Sequence, residues 1–63
     1  SDRELQVFKL LAVGKTIQEI AEMLGISPRT VETHKSRIMD KMGLKNIAEL
    51  VRTAIRLEIV KNY

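Results

Sequence analysis

Residues 16–38, TIQEIAEMLGISPRTVETHKSRI, leave this chain few folds to choose from. Thr16 and Glu19 have the spacing of a capping box, in which a side-chain oxygen at a helix start takes one free amide and a carboxylate three residues on takes another. Ile17, Ile20, Ala21 and Leu24 follow at helical spacing, and Gly25 supplies a left-handed stop. Ser27 caps a second helix with Pro28 at its first position, where a missing N–H costs nothing. Two helices joined by so short a turn cannot lie antiparallel, so they cross. That is the geometry of a helix-turn-helix.

The same punctuation divides the rest of the chain. Ser1-Asp2-Arg3-Glu4 and Asn46-Ile47-Ala48-Glu49 are capping boxes, and Gly14 and Gly43 are stops. Leu5, Phe8, Leu11 and Ala12 give the first helix its apolar face. The spacing predicts helices over 2–13, 17–24, 28–42 and 47–59, with residues 60–63 fraying at the end. The linkers are only a few residues long, so one all-α, four-helix domain spans residues 1–63. At this size the buried fraction of surface is low. No cysteine is present and the single histidine cannot make a metal site, so regular helix packing must hold the fold. No apolar run is long enough to span a bilayer, and no secretory segment is visible. The chain starts at Ser1 without an initiator Met and is expected to be a piece of a larger protein or a processed one.

The net charge of +3 is unevenly spread. Residues 1–24 hold three basic and four acidic side chains, a net of −1, whereas residues 25–63 hold eight basic and four acidic, a net of +4. The positive field therefore lies on the third helix and beyond; a basic face is the electrostatic footprint of nucleic-acid binding, although many solvated helical surfaces are equally basic. On a helical wheel with Arg29 at the origin, Thr33, Ser36 and Asp40 fall within roughly 40° of it, flanked by Glu32 and Arg37. Val31, His34, Ile38 and Met42 lie opposite and are expected to pack on the first two helices. Short polar side chains at the centre of the outer strip let a backbone sit deep in a DNA groove. Long basic ones at its margin, Arg29, Lys35 and Arg37, can reach phosphates. Base-edge contacts set sequence, and phosphate contacts set position and affinity.

Almost the entire chain resembles the DNA-binding domain of LuxR-type regulators, the NarL/FixJ/GerE group. The matching segments are Arg3-Glu4 with Val7 and Leu10, Gly14-Lys15 leading into Glu19-Ile20-Ala21, Leu24-Gly25-Ile26-Ser27, Thr30-Val31-Glu32-Thr33-His34, and Ile38 with Lys41-Met42-Gly43-Leu44. The resemblance implies the C-terminal output domain of a bacterial transcription regulator, with the third helix as recognition helix. It places Glu32, Thr33 and Ser36 toward bases, and Arg29 heads the same strip. Its phosphate contacts correspond to Thr16, Ser27, Thr30, Lys35 and Arg37. The implied partners are duplex DNA, a second copy of the chain, RNA polymerase, and a receiver or sensor domain outside this chain. The implied location is the cytoplasm, at the nucleoid. The chain departs from the family at Glu32, where many members carry Lys. A glutamate cannot pair with guanine acceptors but can accept from cytosine N4, so a different operator preference is expected.

The fourth helix carries apolar side chains over an arc of roughly 200°, about twice what a core-facing helix needs. Leu50, Val51, Ala54 and Leu57 form the stripe expected to face the core, and Ala48, Ile55 and Ile59 form a second stripe beside it. Deep burial of this helix would account for the arc; so would a second copy covering the stripe across a two-fold axis, the favoured reading, with Ala48, Arg52 and Ile55 at the contact.

The remaining signals read as structure. His34 is expected to be a packed histidine bonded to backbone, and Met23, Met39 and Met42 to fill gaps. Glu32 and Asp40 stand two turns apart on an exposed face, without a pocket to raise either carboxyl, so acid–base catalysis is not expected. Neither a glycine-rich phosphate loop nor a nucleophile–base pair is present, and the chain is read as a non-enzyme without cofactor. The competing readings are a promoter-binding domain like region four of a sigma factor and a protein-interaction module that uses the helix-turn-helix as scaffold.

Overall fold

Local chemistry sets the helix ends. The structure, a computed structural model, describes residues 2–58. It comprises α1 (Asp2–Ala12), α2 (Ile17–Leu24), α3 (Pro28–Met42) and α4 (Ile47–Arg56). The first three helices end alike. An amide two or three residues beyond the helix reaches back five residues: Lys15 to the Leu10 carbonyl at 3.0 Å, Ile26 to Ala21 at 3.1 Å, and Leu44 to Met39 at 2.9 Å. Such closure needs a left-handed residue just before it. Gly25, at φ 67°, provides it between α2 and α3. Ile26 and Leu44, the residues after two of these glycines, are half-buried against the core and lock the turns.

The helix starts agree with the capping pattern in one case and modify it in another. At α2 the Thr16 amide donates to Glu19 Oε1 at 2.9 Å, and the Glu19 amide donates to Thr16 Oγ1 at 3.1 Å. At α4 the Glu49 amide donates to Asn46 Oδ1 at 2.9 Å, but Glu49 Oε1 accepts from the Lys45 amide at 2.6 Å rather than from Asn46. Asn46 is far more extended, at φ −159° against −78° for Thr16. That swings its own N–H away and offers the preceding one. The Ser1 cap expected for α1 lies outside the described residues.

α1 touches all three other helices; α3 also packs on α2, and α4 rests on α1. Each helix contributes one large side chain with no exposed surface: Val7, Ile20, Val31 and Leu50. Phe8, Leu11, Ala12, Ala21, Ile38 and Ala54 complete the core. Burying an aliphatic side chain of this size contributes about 1.5–3 kcal/mol, so these few residues dominate a domain without staples.

Several expectations are corrected at this level. α1 ends at Ala12 rather than at residue 13. α4 ends at Arg56, short of the expected 59, and Ile59 lies outside the described residues, as do residues 60–63 expected to fray. Leu57 consequently falls past the last helical turn and is 53% exposed, while Thr53 takes the inward position that Leu57 was expected to hold. Leu5 is exposed and Val7 replaces it in the core, because α1 presents its Val7–Phe8 side to the other helices. Met42, at the far end of α3, points out, and Met39 packs inward instead. His34 is half-buried, but its Nδ1 has no hydrogen-bond partner among the described residues.

One ionic tie joins the start of α1 to the end of α3. Lys41 Nζ donates to Glu4 Oε1 at 2.8 Å, with Glu4 buried and Lys41 largely in solvent. That hydrogen bond holds the Glu4 carboxyl below its ordinary pKa, against an opposing push from burial. A carboxyl with a depressed folded-state pKa stabilises the fold above its unfolded pKa, and this stability is lost as pH falls through the folded value. Urea midpoints of the wild-type chain and Glu4→Gln, followed by circular dichroism, should therefore differ at pH 7, begin to converge as the pH falls below about 4.3, and coincide only below the depressed folded-state value. A gap that stays constant with pH would remove the ionic account of this tie.

Candidate nucleic-acid interface

The N-terminal ends of α2 and α3 and the outer strip of α3 share one side of the molecule. Arg29, Glu32, Thr33 and Ser36 are all exposed on α3, and Arg37 stands exposed at their margin. An open depression lined by Thr16, Ile17, Gln18, Pro28 and Glu32 joins this strip to the start of α2. A second, on the turn side, is lined by Gln18, Glu22, Gly25, Ile26, Ser27 and Pro28 among others. The expected phosphate residue Thr16 and the expected base reader Glu32 thus border one hollow.

Thr16, Ser27 and Thr30 stand at helix starts, where unpaired amides and the helix dipole favour anions. Each is engaged with its own helix. Ser27 Oγ accepts the Thr30 amide at 3.1 Å, and the Ser27 and Thr30 hydroxyls bond to each other at 2.9 Å. The Thr16 hydroxyl oxygen accepts the Glu19 amide, which leaves its own proton to donate outward. Glu19 is held below its ordinary pKa, first by the hydrogen bond from the Thr16 amide, so its negative charge belongs to the cap. Farther along α3 the Thr33 hydroxyl lies 3.1 Å from the Arg29 carbonyl and donates to it.

Lys35 is placed differently from Arg37. It is half-buried, on the side of α3 that also carries Val31 and Ile38. Only the head of its side chain can extend from there toward a backbone phosphate. The expected partner face on α4 is present in part: Ala48 and Arg52 are exposed, Ile55 is half-buried, and Ile47 beside them is 38% exposed.

Gln18, which the resemblance marks as a position often basic or polar in the family, was given no role in the expected site. It lines both depressions. Its signal was its place in the first turn of α2, but only the crossing of α2 and α3 brings it beside Glu32. Among the described residues no group of three metal-ligating side chains is assembled, and no helix is long and apolar enough to cross a membrane.

Four short helices around one core, with the second helix of a helix-turn-helix presenting an exposed polar strip edged by arginines, define a helix-turn-helix domain of the DNA-binding type. Over residues 1–54 the chain matches the family described as "Bacterial regulatory proteins, luxR family". It is 46% identical over 61 residues to the "Oxygen regulatory protein NreC" of Staphylococcus aureus strains JH9, JH1 and Mu3, a match covering 97% of this chain and 28% of each relative. The chain belongs to the LuxR family of bacterial regulatory proteins and is a domain of the DNA-binding, transcription-regulating kind. It spans 28% of the length of these curated relatives.

The start of α3 carries both fold and site, which makes Ser27 a sensitive position. Ser27→Ala removes the acceptor for the Thr30 amide and should cost about 1 kcal/mol in urea denaturation, whereas Ser27→Gly should cost only a few tenths, about 0.3 kcal/mol. Equal losses in the two variants would show that the cap is not what stabilises this helix start.

Proposed function

We propose that this chain binds double-stranded DNA sequence-specifically, as the output domain of a longer transcription regulator, with α3 in the major groove. The observation that carries the reading is the continuous exposed strip Arg29, Glu32, Thr33 and Ser36, bordered by two helix starts and by Arg37. The strip faces base edges. Thr16, Ser27, Thr30, Lys35 and Arg37 hold phosphates on either side and fix the register of the helix. A receiver or sensor domain outside this chain controls access to the strip, as in a response regulator, and RNA polymerase is the downstream partner. The chain has no enzymatic role of its own and works at the nucleoid in the cytoplasm.

Dimerisation through α4 completes the reading. Ala48, Arg52 and Ile55 lie on the flank of α4 turned away from Leu50 and Ala54, and the Ile47–Ile55 edge is apolar and only partly covered. A two-fold axis there sets two recognition helices about 34 Å apart, one turn of duplex.

Two measurements test this. Arg37→Ala should weaken binding to operator and random duplex alike and reduce the slope of log affinity against log salt by about 0.9, the share of one phosphate contact. Ser36→Ala should keep that slope and change which duplexes are selected from a random pool. Binding insensitive to salt, beside tight binding to a protein, would favour the scaffold reading instead. Ile55→Glu should lower the sedimentation coefficient of the operator-bound species and abolish cooperative binding to paired half-sites; cooperativity equal to wild type would exclude α4 as the dimer contact.

A further inference from the structure

The middle of α3 is rich in hydrogen-bond acceptors, and this bears on which bases it can read. Thr33 Oγ1 donates to the Arg29 carbonyl at 3.1 Å, so its proton is committed within the helix. What Thr33 turns outward is a lone pair and a methyl group. Glu32, the residue before it, is exposed and carries a carboxylate, which only accepts. In the major groove the only hydrogen-bond donors are the exocyclic amino groups, N4 of cytosine and N6 of adenine; guanine shows two acceptors and thymine an acceptor and a methyl. Adenine N6 stands beside the N7 acceptor, which repels a carboxylate, so cytosine suits Glu32 better.

A second observation concerns charge. Glu32 lines the same depression as Thr16. If Thr16 holds a phosphate, the Glu32 carboxylate faces the duplex at close range and raises the energy of every docked sequence. That cost is offset only where a base offers it a proton. Building a penalty against wrong partners in this way is a recognised route to specificity.

We infer that Glu32 is the specificity-determining residue of this domain: it selects a cytosine amino group and rejects duplexes that offer none, with Thr33 beside it serving as acceptor and methyl contact only. The inference rests on the placement of α3 proposed above. It assigns the operator a class of base, one presenting a cytosine N4 amino group to α3. It also makes a low affinity for random duplex the consequence of one side chain.

The test uses the wild-type chain, Glu32→Gln, which removes the charge but keeps an acceptor oxygen, and Glu32→Ala, which removes both; position 32 is exposed, so neither touches the core. Duplexes selected by the wild type from a random pool are compared with random duplex at one fixed salt concentration. Both variants are expected to bind random duplex several-fold more tightly, and Glu32→Ala to shrink the ratio of specific to random affinity by about tenfold. Replacing the selected cytosine by 2-pyrimidinone, which lacks only the amino group, should cost the wild type about tenfold and Glu32→Ala less than about twofold. An unchanged ratio in Glu32→Ala, or an analogue that costs the wild type nothing, overturns the inference while leaving DNA binding by α3 intact. Absence of salt-dependent duplex binding by the wild type overturns the underlying reading and this inference with it.

Discussion

The hydrogen bond from the Ile26 amide to the Ala21 carbonyl closes the turn on which this molecule depends. It forms only because Gly25 adopts a left-handed conformation, at φ 67°. A Cβ at Gly25 would meet no atom within 4 Å. The constraint is therefore backbone conformation rather than space. An L-residue there pays roughly 1–2 kcal/mol in local strain. With the turn closed, Ser27 can cap α3 at once, and α3 must leave α2 at an angle. Val31 and Ile38 then meet Ile20 and the α1 side chains, and the opposite strip is left to solvent.

That crossing links stability to function directly. The same Ser27 and Thr30 hydroxyls that satisfy the start of α3 form part of the surface proposed to meet phosphate. The cap of α2 at Thr16 stands in the hollow bordered by Glu32. A small domain has little surface to divide between folding and binding. Under the proposed placement of α3 the two uses fall on the same polar groups. α4 is the exception: it packs on α1 with one side and keeps an apolar shoulder at Ile47 and Ile55, away from α3.

Much of this was legible in the residues. The stops at Gly14, Gly25 and Gly43 and the starts at Thr16, Ser27 and Asn46 are local events, governed by backbone dihedrals and by side chains three residues apart, so they survive into the structure with shifts of at most a residue. The end of α4 is the exception. No glycine marks it, and an apolar pattern running on through Leu57 suggested a longer helix than the one that ends at Arg56. The outer strip of α3 was equally readable, since a straight helix converts spacing into faces without help from its neighbours.

What a wheel cannot supply is the position of the other helices around it. Thr53 rather than Leu57, Val7 rather than Leu5, and Met39 rather than Met42 are buried because the packing partners cover those particular arcs and stop short of the helix ends. Lys35 and Arg37 looked alike in sequence, and only the neighbouring helices made one half-buried and the other free. Gln18 and Glu32 are fourteen positions apart by their numbering, and the crossing of α2 and α3 alone makes them neighbours. The sequence by itself determined the four helices, the starts at Thr16, Ser27 and Asn46 and the family, because those depend on contacts within a few residues. The tertiary structure decided which side chains border the candidate interface, because that depends on how the helices shadow one another from water.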